Sequence, residues 1–463
     1  MSNRANPAVP DPGARHPALS GTGNRYTGGA LQTVAGLLIL AMVLLTILDN
    51  LAPWRFSDPL RWFAGISAWL ATLLLIRQAT FFLRIQVGIL LGAGLGMILL
   101  AHGRGVAIDP LSAISTNTGL LSMIAAVGFL RLVALPRPGE VRRLPVGRRA
   151  YLQTLASIGV FSSVINISAP VLIADRIHRE RPLDRFTTQS VIRVFCGMSN
   201  WSPFFGAMAA VLTYVGGARL DLIMLACLPF SLLCVAVVYL EARWRYPDRM
   251  AGFVGYPMER EALLVPAVLL LLVAVSAQIF PGISILALIA VCALTVSALL
   301  LAVRHGPGEM ASRMWNHTLT YLPRMVGELS LFLSAGVFAV GMAAMIDSGL
   351  ITSPFTRFDG VTAAQLLGLM LVAALVGIHP IILVSSLTPM VMALDPNPTL
   401  LAIVYLTAWN LGTGSSYLSG TQLIFQGRYG IPSWKSASWN WPYALVMFLL
   451  ASGWLLVLSR FLT

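Results

Sequence analysis

Charge is scarce in this chain: 11% of its 463 residues are charged, while 57% are hydrophobic. Soluble domains carry roughly a quarter charged residues, so the shortage excludes a soluble globular protein. Cysteine is sparse too. Cys196, Cys227, Cys234 and Cys292 sit singly in apolar stretches without CxxC spacing, which excludes a disulfide framework. Lysine is nearly missing, with Lys435 standing against thirty arginines; it carries no functional reading. No GxxxxGK[ST] occurs, which disfavours ATP-driven pumping by this chain alone. No gap between apolar runs is long enough to hold a soluble catalytic domain.

What the sequence has is long apolar runs. A helix crossing the ~30 Å hydrocarbon core needs about 20 apolar residues. Spans are predicted at 29–48, 60–76, 85–102, 118–135, 220–241, 262–279, 283–303, 325–346 and 441–459. Four more stretches, 152–176, 188–214, 362–394 and 399–426, are apolar but broken by Pro, Gly, Ser, Thr or Asn. Residues 1–28, rich in Pro, Gly and Arg, predict a disordered cytoplasmic tail. The run after it starts too far in and is too long for a signal peptide. The fold class is therefore an all-α polytopic membrane protein.

The formal charge of +13 serves as an orientation signal. If the N-terminus is cytoplasmic and 152–176 and 362–394 double back as re-entrant hairpins, 24 basic residues fall on the cytoplasmic side, six on the other, and Arg193 alone within a span. Single crossings would split the clusters Arg131 to Arg149 and Arg176 to Arg185 across the membrane. The positive-inside rule favours the hairpins and predicts a multi-pass protein of a bacterial inner membrane. It gives no reason to expect a nucleic-acid partner.

The halves correspond. Asn117 and Glu328 lie 211 residues apart, Pro170 and Pro380 lie 210 apart, and so do Asn200 and Asn410. The expectation is a lead helix at 29–50, a first inverted repeat at 60–242 and a second at 262–460, each with a hairpin and an interrupted helix. Irregular backbone at membrane depth is tolerated only inside protein or along a watery cavity. The broken segments bring Asn166 and Ser168; Ser199, Asn200 and Ser202; His379, Ser385, Ser386 and Thr388; and Asn410, Thr413, Ser415 and Ser416 to that depth. Exposed carbonyls there suit a cation such as Na⁺, and half-helix N-termini with hydroxyls suit an anion. The plainer reading is that these hydroxyls bond their own helices.

Three ionisable residues within spans or broken segments, Glu328, His379 and Arg193, are the ones to weigh, since charge at bilayer depth is costly and marks candidate sites; Asp175 and Arg176, at the end of the first hairpin beside more charges, read as solvated. Glu328 reads as a proton or cation carrier, or as an interfacial helix-end residue near Arg324. His379 reads as a proton exchanger or anion donor, or as a histidine satisfied by a carbonyl. Arg193, two turns before Asn200, reads as an anion attractor or as a side chain reaching back to the cytoplasmic surface. The stretch 304–324, with Met310, Met314, Trp315 and Leu322, suits an interfacial helix.

This arrangement of one lead helix and two inverted units, each with a hairpin and an interrupted helix, resembles the ion transporter superfamily, whose best-described branch is the divalent anion/sodium symporters. Members of that branch carry Ser-Asn-Thr motifs binding carboxylates and Na⁺. Ser199 and Asn200 match the first two positions, with Trp201 in place of Thr; in the partner segment Asn410 and Thr413 are separated by Leu and Gly. The resemblance implies an elevator-type secondary transporter, homodimeric through its scaffold, that carries a small organic anion such as a carboxylate coupled to Na⁺ or H⁺. The coupling candidates are Glu328, His379 and Arg193, and no cofactor beyond a coupling ion is expected. The rival readings are a membrane-embedded enzyme acting on lipid-linked substrates and an export component of a polymer pathway.

Overall fold

The computed structural model describes residues 29–51, 57–134, 144–258 and 264–462. The tail 1–28 and several of the arginines tallied above, Arg137 and Arg260 among them, lie outside this range. Within it the chain is all-α, and eight helical stretches are long and apolar enough to cross a bilayer. This is a multi-pass membrane protein. Phe81, Leu99, Leu225, Leu271 and Val303 lie exposed on the helix surfaces; in water they would form an apolar patch beyond what a soluble protein displays, and in lipid they cost nothing.

The first helices are α1 (Ala30–Leu51), α2 (Ser57–Leu75), α3 (Phe81–His102), α4 (Pro110–Ser115), α5 (Thr118–Gly128) and α6 (Arg131–Ala134). Next come α7 (Arg148–Ile165), α8 (Ser168–Glu180), α9 (Arg185–Met198), α10 (Gly206–Tyr214), α11 (Leu220–Arg245) and α12 (Pro247–Ala251). The second half holds α13 (Leu264–Ile279), α14 (Ile285–His305), α15 (Pro307–Thr320), α16 (Val326–Asp347), α17 (Gly360–Leu375), α18 (Pro380–Met392), α19 (Pro398–Ser415), α20 (Gly420–Tyr429) and α21 (Ser433–Leu462).

The fourth span differs from the sequence expectation of 118–135. It begins at Pro110, because Asp109 accepts hydrogen bonds from the Leu111 and Ser112 N–H groups at 3.0 and 3.1 Å and Pro sits at the first helical position, where its missing donor is harmless. Asn117 is thus buried at a break between α4 and α5 and donates to Tyr214 Oη at 2.7 Å and to the Phe332 carbonyl at 2.5 Å. In the stretch 304–324, α15 packs on α1 and α14. Trp315 is exposed there, while His317 is buried between Phe129 and Tyr321, each ring 4.5 Å away.

Long helices α3 and α16 cross with almost no side chain between them. A Cβ at Gly94 would stand 2.9 Å from the Phe338 backbone, and one at Gly341 would stand 2.6 Å from the Gly94 carbonyl. Small residues permit this approach, which is how membrane helices gain contact where no hydrophobic force draws them together.

Two chain reversals follow from the packing. Tyr151 Oη lies 2.8 Å from Ser190 Oγ near the starts of α7 and α9, and Ser202 Oγ donates to the Ser163 carbonyl near their ends. Helices α7 and α9 are therefore parallel, and α8 between them must run back. The turn falls at Asn166, whose φ of 51° with ψ of −136° is a positive-φ conformation that favours glycine. In the second half Gly412 of α19 packs on Ala374 and Pro380, and Thr388 Oγ1 lies 3.2 Å from Tyr405 Oη. So α18 runs antiparallel to α19, and the chain turns at Gly377, φ 97°.

The reversals enter from opposite faces. Helix α17 starts beside Ser459, where Asn397 also donates to the Leu462 carbonyl, at the end of α21. Helix α8 ends near α20 at the other face, where Asp175 binds Arg428 (Nε to Oδ1, 2.6 Å) and accepts from Tyr429 Oη at 2.8 Å.

Candidate functional site

The two reversals and the two broken helices meet around one cavity of about 210 Å³. Asn166 and Ile167 come from the first turn, and Gly377, His379 and Pro380 from the second. Ser199 and Phe205 bound the break between α9 and α10; Thr413, Ser416 and Ser419 surround that between α19 and α20. Phe332 and Glu328 of α16 and Gln86 of α3 close the wall. Gln86 Nε2 donates to the Gly377 carbonyl at 3.3 Å, which sets the depth of the second turn against α3.

The electrostatics are set by backbone. Four half-helices begin at the cavity: α8, α10, α18 and α20. Each N-terminus carries about half a positive charge in its unsatisfied N–H groups. Two are capped by side chains, α18 by His379 Nδ1 accepting from Ile381 N–H at 3.2 Å and α20 by Ser419 accepting from Gln422 N–H at 3.3 Å. Helices α8 and α10 have no side-chain cap; α10 keeps its first N–H groups free to donate, whereas at α8 the Ala169 N–H already bonds the Asn166 carbonyl at 3.1 Å and Pro170 has no N–H, which leaves the Ser168 N–H. Among the described residues no Lys or Arg lines the cavity, and the single carboxylate is that of Glu328. Because His379 Nδ1 accepts, the neutral ring carries its proton on Nε2. The ring stands edge-on to Trp409 at 5.5 Å.

Of the residues expected from the sequence, Asn166, Ser199, Glu328, His379, Thr413 and Ser416 line this cavity; the others fall outside its lining. Ser385, Ser386 and Thr388 donate to carbonyls of their own helix, at Ile382, Ile382 and Val384. Ser202 ties α10's approach to α7 through the Ser163 carbonyl. Asn410 Nδ2 reaches Cys234 Sγ at 3.7 Å, and the Ser415 carbonyl accepts from Trp441 Nε1 at 3.1 Å. Ser168 opens α8 next to the lining residue Ile167. Asn200 is fully buried, and neither of its amide atoms is bonded among the described residues.

Arg193 neither reaches the surface nor faces the cavity. It is buried and held by Glu241 at 2.5 Å, Asn440 Oδ1 at 2.8 Å and the Trp439 carbonyl at 3.1 Å, with its guanidinium 4.6 Å from the Tyr443 ring centre. The group locks α9 to α11 and α21. Residues the sequence reading passed over include Gln86, Phe332 and Trp409. Only Gln86 left a signal, as a polar side chain inside the apolar run FFLRIQVGILL.

Among the described residues no three His, Cys, Asp or Glu side chains gather as a metal-ligand set. Compared with known proteins, the chain matches no family model and no curated sequence.

Proposed function

We propose that the chain is a secondary active transporter that carries a small organic anion, a carboxylate foremost, across a bacterial inner membrane by an elevator movement. The observation that carries this reading is the convergence of four half-helix N-termini on one cavity that, among the described residues, no Lys or Arg lines. Such N-termini bind a carboxylate through backbone N–H groups without a fixed countercharge. Broken helices meeting mid-membrane between oppositely entering reversals are the organisation expected of inverted-repeat transporters. The rings of Phe332, Trp409 and Phe205 beside the hydroxyls of Ser199, Thr413 and Ser416 suit an anion with an apolar body.

The moving body takes in α7–α11 and α17–α21. Arg193 binds α11 and α21 into it, Trp454 Nε1 donates to the Ala226 carbonyl at 3.1 Å, and the Asp175, Arg428 and Tyr429 cluster joins α8 to α20. The remaining long helices, with the α3–α16 crossing at their centre, form the scaffold. Uptake of radiolabelled carboxylates into proteoliposomes under imposed Na⁺ and pH gradients tests the reading. Gradient-driven accumulation is expected, and none for any carboxylate would overturn it.

A further inference from the structure

We infer that the carboxylate of the cargo seats at the N-terminus of α20, on the N–H groups of Gly420 and Thr421 and the hydroxyls of Ser416 and Thr421. The inference rests on the transporter reading above and adds to it the place, among four converging half-helices, where the anionic group binds.

The four ends differ in what they can still donate. At α18, Pro380 has no N–H, and the next two N–H groups are taken: Ile381 donates to His379 Nδ1 at 3.2 Å and Ile382 to the His379 carbonyl at 3.0 Å. At α8 the Ser168 N–H is left, and Ser168 stands outside the cavity lining. Helix α10 keeps its first N–H groups, but the hydroxyls at its break are occupied. Ser199 donates to the Cys196 carbonyl at 2.7 Å and Ser202 to the Ser163 carbonyl. The lining beside this end is Ile124, Phe195 and Phe205.

At α20 both kinds of donor remain. Ser419 caps the Gln422 N–H, and the Gly420 and Thr421 N–H groups ahead of it make no hydrogen bond among the described residues. Thr421 is 5% exposed and Ser416 4%; both line the cavity, and neither hydroxyl has a partner among the described residues. Ser416 is held near this end by a tight break, in which its carbonyl accepts from the Ser419 N–H at 3.1 Å. A buried polar group without a partner is costly, and a bound acceptor removes that cost.

The same break covers its negative pole. The carbonyls that end α19 would attract a cation, but each is engaged. The Gly414 carbonyl accepts from Gln422 Nε2 at 2.8 Å and Asn440 Nδ2 at 2.9 Å, the Ser415 carbonyl from Trp441 Nε1 at 3.1 Å, and the Ser416 carbonyl from Ser419. The break therefore offers the cavity two N–H and two O–H donors. A carboxylate carries about four acceptor positions on two oxygens, so one carboxylate can use all four donors, and the dipole of α20 favours its charge.

The test measures equilibrium binding of radiolabelled benzoate and lactate to the full chain in lipid nanodiscs. Proline at position 420 removes one N–H at the first helical position, where helices tolerate it, and Ser419 before it is already extended at φ −65°, ψ 144°, as a residue preceding proline must be. A Cβ at Gly420 meets nothing within 4 Å, so G420A is the matched comparison. G420P should bind at least about tenfold more weakly than G420A, and T421V than T421S, the loss expected for a hydrogen bond to a charged group. S386A, whose hydroxyl bonds its own helix, should bind as wild type does. Equal affinity within either pair would overturn the seat, as would no binding of either probe by wild type; should G420P not fold, the Thr421 pair decides alone. Parallel uptake into proteoliposomes separates the two readings. Gradient-driven uptake with equal affinity within the pairs fells the seat and leaves the transporter standing, whereas binding that falls in G420P and T421V without uptake in wild type fells the transporter reading and leaves an anion seat.

Discussion

Replacing Arg193 with methionine keeps an unbranched, apolar stem but ends short of the guanidinium, and it removes the charge that ties α9 to α11 and α21. Breaking a buried ion pair by deleting one partner costs about 3 to 5 kcal/mol. Glu241 is 22% exposed and keeps Arg245 on its other oxygen at 3.1 Å, which brings the expectation to the low end, about 3 kcal/mol. Asn440 and the Trp439 carbonyl lose a donor as well, but Asn440 still donates to the Gly414 carbonyl at 2.9 Å. The assay is thermal unfolding in detergent, read by the monodisperse peak remaining after heating. R193M should melt well below wild type, and adding E241Q should return part of the loss, a coupling of about 2 kcal/mol. Equal melting of R193M and wild type, combined with lost anion binding, would refute the structural role and make Arg193 a ligand-facing residue after all.

Three further outcomes follow from local geometry. G341A places a methyl group against the Gly94 carbonyl and should destabilise by about 1 to 3 kcal/mol, seen as earlier thermal unfolding; a neutral result would mean that α3 and α16 are not so close. N166G should keep stability, whereas N166V should lose about 1 to 2 kcal/mol in the same assay, because φ of 51° suits glycine and penalises a β-branched side chain. Asp184 caps α9. Burial opposes its charge, but the Thr187 N–H group and the Arg249 guanidinium outweigh burial and hold the carboxyl below its ordinary range. A depressed folded-state pKa gives stability that is present above the unfolded value of about 3.9 and lost as pH falls through the folded value. Acid unfolding of D184N should therefore depend less on pH than that of wild type.

The path of the backbone was largely legible in the arginines. Keeping Arg131 to Arg149 and Arg176 to Arg185 on one face requires a reversal between them, and the chain turns there, at Asn166. The start of the fourth span was not legible, since residues 110–117 are too polar for a hydropathy window and the helix depends on the local cap at Asp109. The larger part of the expected site could not be separated from its surroundings by sequence alone. Ser385, Ser386 and Thr388 look like ligands at the right depth, but a hydroxyl inside a helix can bond the carbonyl a turn earlier, and each of these does. Gln86, by contrast, is distant in sequence from every broken segment, and only packing brings it to Gly377.

The four N-termini around the cavity also repel one another. Each is a partial positive charge fixed in backbone, so the repulsion cannot relax by rotating a side chain. Their assembly is easier with a negative charge among them, and Glu328 is the one carboxylate that the described residues supply at the cavity wall. An anionic cargo, on the transporter reading, would add a second negative charge to the same ring of N-termini. The cargo would then help to hold together the very arrangement of half-helices that binds it.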